Sequence, residues 1–411
     1  MTAIAADELD LPVLDTAGMD RLDAVTAVAE ARRQHWLART PLGYSLTGYH
    51  DAIAVLRDRR FHSALSLLPQ MAGLEPPGGP GTARRRSILS MEGDEHARLR
   101  RLVSVAFTPA SADRLRPFMR QVIDELVDGP AASGRCELVA EVCEPYPIPV
   151  ICELLGAPKE DWRRFSTWAT DIFRIFNQDL VTDYPAIEKA AGELDEYITA
   201  LIEARRAHPA DDLLSDLIAV EEAGERLSRD ELVMLVQAIL MAGTDTTRNQ
   251  LACSVALMAE HPDQWALLSR HPELAPRAVE ETMRYLGAVR GTVRVAAEDI
   301  EYRDVVFRQG TLVFVTIAAA NRDPHVFAVP EIFDISQERD AVQMTFGSGI
   351  HHCLGAALAR AELQEALSVL ARRMPALVLD GPLEWKPATF GIWGPARLPV
   401  RFAVSNDDRF P

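Results

Sequence analysis

The spacing of apolar residues predicts a chain that is mostly helical. The longest such pattern follows Ser228 and Glu231, which have the spacing of an N-terminal capping box. It continues to about Glu260, where His261-Pro262 ends it and opens the next helix. At ~1.5 Å per residue this helix would cross a whole domain. Near its middle lies AGTDTT, Ala242–Thr247, whose residues are poor helix formers and predict a local distortion.

Two regions carry strand patterns instead. Leu42–Thr47 predicts a short strand leading into a helix over His50–Arg57. Ile300–Ile317 alternates and has turn signals at Arg303-Asp304 and Gln309-Gly310, which predicts a β-hairpin region. The fold class expected is therefore mainly α with a minor β part.

The chain shows neither an internal repeat nor a clean linker. The segment Glu75–Arg86 is rich in proline and glycine and predicts irregular structure. We expect a single domain over residues 1–411, with residues 1–20 as a loosely ordered N-terminal segment.

Composition and charge limit the binding partners and the cellular compartment that we expect for this chain. The chain has 411 residues, 48% hydrophobic and 25% charged, with a formal net charge of −17, so its surface repels phosphate backbones and anionic lipid headgroups. The N-terminus lacks the basic and apolar regions of an export signal. The apolar run Leu232–Ala242 falls far short of the ~20 residues that span a bilayer. We expect a cytoplasmic protein with no nucleic-acid or membrane partner.

The five cysteines argue against disulfides and structural zinc. An odd count with no CxxC pair is typical of a reducing compartment. Four are expected to be small buried hydrophobes. The fifth, Cys353, lies in FGSGIHHCLG, just before a helix predicted over Ala356–Arg373 with an apolar stripe of leucines.

The surroundings of Cys353 favour a special role. Amide donors and the helix dipole favour a thiolate there. Gly347 and Gly349 permit a tight turn, and Gly355 allows a flat ligand to approach the backbone. A purely structural cysteine, or zinc bound with His351 and His352, are the alternatives, although adjacent residues rarely close on one zinc ion. A dinucleotide fingerprint is excluded because its third glycine would fall on His352.

FGSGIHHCLG resembles the haem-binding signature of the cytochromes P450 at every defined position. Further motifs of that family follow in the right order from about Leu42 to Phe402. The resemblance implies the P450 fold, with a long central helix over haem b. It also implies that Cys353 is the axial ligand of the haem iron.

The resemblance assigns other residues to the haem. HARLR, His96–Arg100, is similar to the family's propionate-binding helix, in which the histidine and the arginine share one face. Arg294 and His351 match further propionate contacts. The complete set of implied cofactor-binding residues is His96, Arg100, Ala242, Gly243, Arg294, Phe346, Gly347, His351, Cys353 and Gly355.

Two further motifs have implied roles. Asp245 and Thr246 match the acid-alcohol pair that delivers protons to iron-bound dioxygen, with the alternative that both merely face solvent. Glu281 and Arg284 match the buried ExxR pair, which has a structural role. The arginine expected as its third member falls on Gln337, and Arg339 follows two residues later.

The implied activity is a monooxygenase that hydroxylates or epoxidises a hydrophobic small molecule with O2 as co-substrate. The chain contains no flavin or ferredoxin module, so a ferredoxin-type partner and its reductase would supply electrons. Arg98, Arg101 and Arg360 are candidates for a basic docking patch. A peroxide-driven peroxygenase and a non-catalytic haem-binding sensor are the alternatives.

By the same resemblance, the substrate pocket draws on four parts of the chain. These are Ser63–Leu74, the helix around Ile239 and Ala242, the segment Gly287–Val293, and Phe390–Trp393. Within them the expected contacts are Ile239, Ala242, Ala288, Val289, Ile392 and Trp393. The pocket is mainly apolar, with Arg290 as its charged exception.

Overall fold

A computed structural model describes most of the chain. The described residues are 3–16, 19, 21–74, 87–177, 179–224, 227–387 and 391–404. The proline- and glycine-rich segment predicted at 75–86 lies outside them, as does Phe390 of the predicted pocket.

Helices form the bulk of the described residues. They are α1 Arg21–Gln34, α2 Tyr49–Arg57, α3 Leu68–Met71, α4 Gly93–Ser104, α5 Pro109–Ser133, α6 Pro147–Leu155, α7 Trp162–Ile172, α8 Leu180–Ala207, α9 Leu213–Glu222, α10 Arg229–Glu260, α11 Pro262–Arg270, α12 Ala275–Leu286, α13 Ile317–Ala320 and α14 Ala356–Arg373.

The strands are short. They are β1 Ile4–Ala5, β2 Leu37–Thr40, β3 Gly43–Leu46, β4 Phe61–Ser63, β5 Arg135–Glu137, β6 Thr292–Ala296, β7 Ile300–Tyr302, β8 Val305–Phe307, β9 Leu312–Val315, β10 Val378–Leu379, β11 Glu384–Trp385, β12 Pro395–Arg397 and β13 Pro399–Arg401. The largest sheet has the order β2-β3-β9-β6-β4. Three smaller sheets have the orders β1-β8-β7, β10-β13-β5 and β11-β12.

The long helix α10 begins and ends as its sequence predicts. The Ser228 hydroxyl accepts from the Glu231 amide at 3.3 Å, and the Glu231 carboxylate accepts from the Ser228 amide at 2.8 Å, which completes the capping box. The distortion expected at residues 242–247 does not interrupt the helix. Instead the hydroxyls of Thr244 and Thr246 donate to the carbonyls four residues earlier.

The strand region differs in part from its prediction. β7 and β8 form the expected hairpin, and Arg303 takes a φ of 54° at its turn. β9 instead leaves the hairpin and joins the large sheet between β3 and β6. Register and sheet membership depend on partners distant in the chain, which local alternation does not specify.

The N-terminal segment, expected to be loosely ordered, makes specific contacts. Ile4 pairs with Val305 in a parallel bridge, and the Leu14 amide donates to the Arg39 carbonyl at 2.8 Å. Leu11 and Leu14 are buried. Residues 4–14 therefore pack along the β-rich part.

The two larger hydrophobic cores of the described residues lie in the helical part and in the β-rich part of the fold. The larger one surrounds α10, which packs against α6, α7, α12 and α14. The smaller one lies on the large sheet and includes Leu46, Phe307 and Val313. Among the described residues, no helix is both long and apolar enough to cross a membrane.

Candidate active site

A cavity of about 940 Å³ lies beside α4, α10, β6 and Phe346–Gly355, named here the cysteine segment. Its lining includes all the residues predicted to hold the cofactor, which are His96, Arg100, Ala242, Gly243, Arg294, Phe346, Gly347, His351, Cys353 and Gly355. It also collects the predicted pocket residues Ile239, Ala288, Val289, Ile392 and Trp393. The predicted cofactor site and the predicted pocket are therefore one space.

Cys353 is accessible at the wall of this cavity, whereas the other four cysteines are buried. Its amide donates to the Phe346 carbonyl at 2.9 Å, which closes the turn ahead of α14. Burial by the surrounding protein raises the pKa of the Cys353 thiol, and the backbone of Gly355 with the charges of Arg100 and Arg360 opposes that rise. The thiolate-favouring effect of the helix start is thus present but weaker than desolvation. A bound cation at the sulfur would reverse this balance.

Glycines shape the cysteine segment. Gly347 and Gly349 have φ values of 71° and 73°, as the predicted tight turn requires. A Cβ atom on Gly349 would lie 2.0 Å from the Leu56 carbonyl oxygen, so α2 and the cysteine segment touch there through backbone. A Cβ on Gly355 would meet nothing nearer than Phe107, at 3.9 Å, and would occupy cavity space.

The basic residues of the cavity form a cluster, named here the cation cluster: His96, Arg100, Arg294 and His351. The rings of His96 and His351 have centroids 4.7 Å apart, and Arg100 Nη2 donates to the His352 carbonyl at 2.5 Å. Burial, with the charges of His351 and Arg100, lowers the pKa of His96 to about 4. Adding a further proton, and so a further positive charge, to this cluster is therefore unfavourable. Binding an anion there would be favourable.

Arg294 is the more deeply buried of the two arginines in the cation cluster, with 4% of its surface exposed. Its guanidinium donates to Thr292 Oγ1 and to the Val293 carbonyl, both at 3.1 Å. Desolvation lowers the pKa of Arg294 to about 10, although Glu92 opposes this. No described carboxylate forms an ion pair with this guanidinium, so it lacks the anionic partner that a buried charge needs.

Glu92 belongs to the site although the sequence did not reveal it. Its carboxylate accepts from the Ser63 amide at 2.6 Å and lies 3.1 Å from His351 Nε2. Burial would raise the pKa of Glu92, but these hydrogen bonds lower it below the ordinary value. The contact joins residues far apart in the chain, and only the position of Glu92 four residues before His96 could have drawn attention to it.

The side chains of Asp245 and Thr246 point in different directions from α10. Thr246 lines the cavity, and its hydroxyl donates to the Ala242 carbonyl at 2.8 Å. Asp245 is outside the lining and buried, where Arg248 Nε donates to its carboxylate at 2.8 Å. Arg248 also donates to Ser166 and Thr170 on α7. The alternative that both side chains face solvent is therefore wrong for Asp245.

The buried ExxR pair has a third member. Glu281 receives hydrogen bonds from Arg284 Nε at 2.8 Å and from Arg339 Nε at 2.7 Å. Burial would raise the pKa of Glu281, but these two arginines lower it below its ordinary value. Gln337 is exposed and plays no part in the cluster. Arg339 thus occupies the role that the resemblance gave to position 337.

The predicted basic docking patch is smaller than expected. Arg98 forms an ion pair with Glu231, and Arg360 forms one with Glu280 while lying over the Phe346 ring. Arg101 is exposed. Two of the three proposed charges are thus largely neutralised by neighbouring carboxylates.

Comparison with known proteins decides the family. A family model described as Cytochrome P450 matches residues 160–270 and 269–374. Luteothin monooxygenase of Streptomyces thioluteus is 39% identical over 402 residues, covering 96% of this chain and 97% of that protein. This chain belongs to the cytochrome P450 family.

Other P450s agree over nearly the whole length. Mycinamicin IV hydroxylase/epoxidase of Micromonospora griseorubida is 39% identical over 371 residues, covering 88% of this chain and 91% of that protein. The crystal structure of CalO2 superposes with a TM-score of 0.87 at 30% identity, covering 96% of this chain and 99% of that one. The mainly α P450 fold and the monooxygenase class of this P450 are thereby confirmed.

The cavity fits the haem that the P450 family implies. Arg294 is a buried cation that lacks a carboxylate, and the neighbouring Ser63 hydroxyl is buried with no hydrogen-bond partner among the described residues. Both line the cavity, Arg294 as a member of the cation cluster and Ser63 opposite it in the β4–β6 pairing, as propionate groups would require. Cys353 and the open space at Gly355 supply an iron ligand and room for a flat ring.

Proposed function

We propose that this P450 inserts one oxygen atom from O2 into a lipophilic small molecule by hydroxylation or epoxidation. In this proposal haem b is the cofactor, and a separate ferredoxin with its reductase supplies the electrons. The main supporting observation is that Cys353, the cation cluster and Thr246 line one cavity, and that the rest of its wall is mainly apolar. The name of the mycinamicin relative, a hydroxylase/epoxidase, supports the same pair of reactions.

Cys353 would ligate the iron, and Arg100, Arg294, His96 and His351 would hold the propionates. Haem, when bound, would supply the activation and transfer of oxygen, and the thiolate of Cys353 would donate electron density to its iron. The charges of the cation cluster offset the cost of burying two carboxylates. The apolar residues of α10, Ile239 and Ala242 among them, exclude water from the reacting side.

Thr246 is placed to hold a proton donor at the cavity. Its hydroxyl hydrogen is used by the Ala242 carbonyl, which leaves its lone pairs free to accept a hydrogen bond from a water molecule. Asp245 lies directly behind it and is held by Arg248. Arg248 in turn contacts Thr170, which is exposed, so a polar path leads from Asp245 to the surface. We propose that protons enter by this path.

The apolar lining supports a lipophilic substrate. Several polar side chains of the wall are already engaged within the protein: Gln250 accepts from the Ala288 amide at 2.8 Å, and Thr316 shares a hydrogen bond with Ser45. Such groups are not available to form hydrogen bonds with a strongly polar ligand. The affinity for a substrate must therefore come mainly from buried apolar area.

The electron donor would be an acidic ferredoxin that docks near Arg101. A formal charge of −17 makes association depend on a local basic surface, and Arg101 is the exposed member of the predicted patch. A cytoplasmic location, where such partners occur, stays a prediction from the sequence.

The test is reconstitution with a bacterial ferredoxin, its reductase and NADH under ¹⁸O₂. A library of lipophilic compounds is first screened for a low-spin to high-spin shift, and each compound that shifts is incubated. We expect one ¹⁸O atom in the product. Turnover with hydrogen peroxide but not with NADH would favour the peroxygenase alternative, and ligand binding with no turnover by either route would favour the sensor.

A further inference from the structure

Three threonines lie close together on α10, and their hydroxyl groups are used differently. The hydroxyls of Thr244 and Thr246 donate to the carbonyls of Leu240 and Ala242, at 2.7 and 2.8 Å. The Thr247 hydroxyl makes no hydrogen bond within the described part of the chain. Thr247 lines the cavity, and only 3% of its surface is exposed. Its hydroxyl hydrogen is therefore available to a group inside the cavity.

The wall beside Thr247 uses its other polar groups internally. Gln250 lies one turn further along α10, on the same face as Thr247, and also lines the cavity. Its side-chain oxygen accepts from the Ala288 amide at 2.8 Å, and the Ala288 carbonyl accepts from the Trp393 amide at 2.9 Å. These groups have partners in the protein, so the Thr247 hydroxyl is the donor that this part of the wall offers to a ligand.

The surroundings of the Thr247 hydroxyl make a ligand contact favourable. Ala288, Val289 and Ile392 give the wall an apolar surface, and an antiparallel bridge joins Val289 to Ile392. A hydroxyl left unpaired against such a surface costs free energy, which a hydrogen bond to the ligand recovers. A hydrogen bond formed away from water is also electrostatically stronger than one in solution.

The position of Thr247 on α10 gives this hydrogen bond a direction. A β-branched side chain on a helix has few rotamers, so the hydroxyl is held in place by the backbone. Thr246, the neighbouring residue, also lines the cavity and is the proposed holder of the proton donor. A ligand atom bound to Thr247 would therefore fix which carbon of the ligand lies on the reacting side.

We infer that Thr247 donates a hydrogen bond to a carbonyl oxygen of the substrate, so that this P450 selects lipophilic ketones and lactones over hydrocarbons of the same shape. A carbonyl accepts a hydrogen bond but has no hydrogen of its own that the apolar wall would leave unpaired, unlike an alcohol or an amine. The apolar wall receives the rest of the molecule. This inference names the substrate class for the proposed function and rests on it.

The test uses pairs of probes on the haem-loaded protein. The ketones are cyclooctanone, cyclododecanone and cyclopentadecanone, and each is paired with its methylidene analogue, in which a CH2 group replaces the oxygen. Binding is measured by the spin-state difference spectrum and independently by equilibrium dialysis. The quantity compared is the ratio of the two dissociation constants in a pair, because the ratio removes the contribution of the shared ring.

Variants of Thr247 make the test specific. Thr247→Val keeps the shape and removes the donor, so it should lower the preference for the ketone by about tenfold. Thr247→Ala should act in the same direction, and it replaces the valine variant if that variant loads no haem. Thr247→Ser keeps the hydroxyl and should retain most of the preference. Thr244→Val is the matched control, because the Thr244 hydroxyl is bonded to the Leu240 carbonyl and Thr244 does not line the cavity.

An unchanged ratio in both Thr247→Val and Thr247→Ala, an equal loss in Thr244→Val, or no binding of any of the three ketones to the wild type would each overturn the inference. If Thr247→Val instead diverts reducing equivalents into hydrogen peroxide at an unchanged ratio, the hydroxyl serves proton supply and the inference is wrong.

The proposed function can fail separately. If the ketones bind through Thr247 but are never oxygenated with ferredoxin, reductase and NADH, the inference stands and the monooxygenase proposal fails for this ligand class. If lipophilic compounds are oxygenated while the ratio is the same in wild type and Thr247→Val, the reverse holds.

Discussion

Arg339 donates two hydrogen bonds to Glu281, from Nε to Oε2 at 2.7 Å and from Nη2 to Oε1 at 2.8 Å. The same guanidinium reaches the carbonyls of Ala328 and Ile332. Arg284 also donates to the Ile332 carbonyl. The two arginines therefore fasten the irregular segment around residues 328–339 to α12 through one carboxylate.

Removing that carboxylate should be costly. In Glu281→Gln two buried guanidinium groups lose their anionic partner, and we expect a loss of roughly 3–5 kcal/mol in the free energy of unfolding, with poor haem incorporation. Arg339→Ala should lose less, since Arg284 remains. Urea denaturation and the ratio of haem to protein measure both effects.

The control for this pair lies on the same helix. Arg277 forms an exposed ion pair with Glu338, so Arg277→Ala should cost at most about 1 kcal/mol. If Arg339→Ala were as harmless as Arg277→Ala, the segment would be held by its other contacts and the triad would not matter for stability.

Cys353→Ser should abolish the thiolate signature, because a serine hydroxyl does not ionise near neutral pH. The reduced carbon monoxide complex reports this through the position of its Soret band. Cys136→Ser provides the control, since Cys136 is a buried residue of β5 outside the cavity. A Soret band in Cys353→Ser at the wild-type position would refute the ligand assignment.

Arg294→Met should weaken haem retention more than it weakens the protein without haem, because it removes a buried charge that has no described ion-pair partner. Arg100→Ala should act in the same direction. Transfer of haem to apomyoglobin gives the rate. Arg308→Met, at an exposed pair with Asp299, should transfer haem at the wild-type rate. A wild-type rate of haem transfer in both Arg294→Met and Arg100→Ala would show that the propionates are bound by other residues.

Thr246→Ala should leave ligand binding intact but divert reducing equivalents into hydrogen peroxide, because the hydroxyl that holds the proton donor is gone. The ratio of product to NADH oxidised, with peroxide assayed in parallel, measures this. Asp245→Asn should mainly slow the proton-dependent steps.

Thr244→Ala is the matched control for Thr246. Thr244 makes the same hydrogen bond to the carbonyl four residues earlier but does not line the cavity. Wild-type coupling in Thr246→Ala, or equal uncoupling in both variants, would show that the cavity-facing hydroxyl is not the group that organises proton supply.

The sequence predicts features whose causes are local. The capping box at Ser228, the helix that begins at Ala356 and the turns at Gly347 and Gly349 all follow from neighbours within a few residues. That residues so far apart in the chain line one cavity could be predicted because the family resemblance supplies their long-range arrangement.

What could not be predicted depends on distant partners. Three features leave no local signature: the contact of Glu92 with His351, the bonds from Arg248 to Ser166 and Thr170 beside Asp245, and the place of β9 in the large sheet. The desolvation that raises the pKa of the Cys353 thiol likewise comes from residues distant in the chain, whereas the opposing effect of the helix start is local.

The backbone contact between Gly349 and Leu56 has a mechanical consequence. With the place of a Cβ only 2.0 Å from a carbonyl oxygen, the interface holds no side chain that could absorb a displacement. A shift of α2 is transmitted directly to the peptide four residues before the cysteine. Substitutions in the β-rich core, far from any ligand, can therefore perturb the electronic environment of the sulfur.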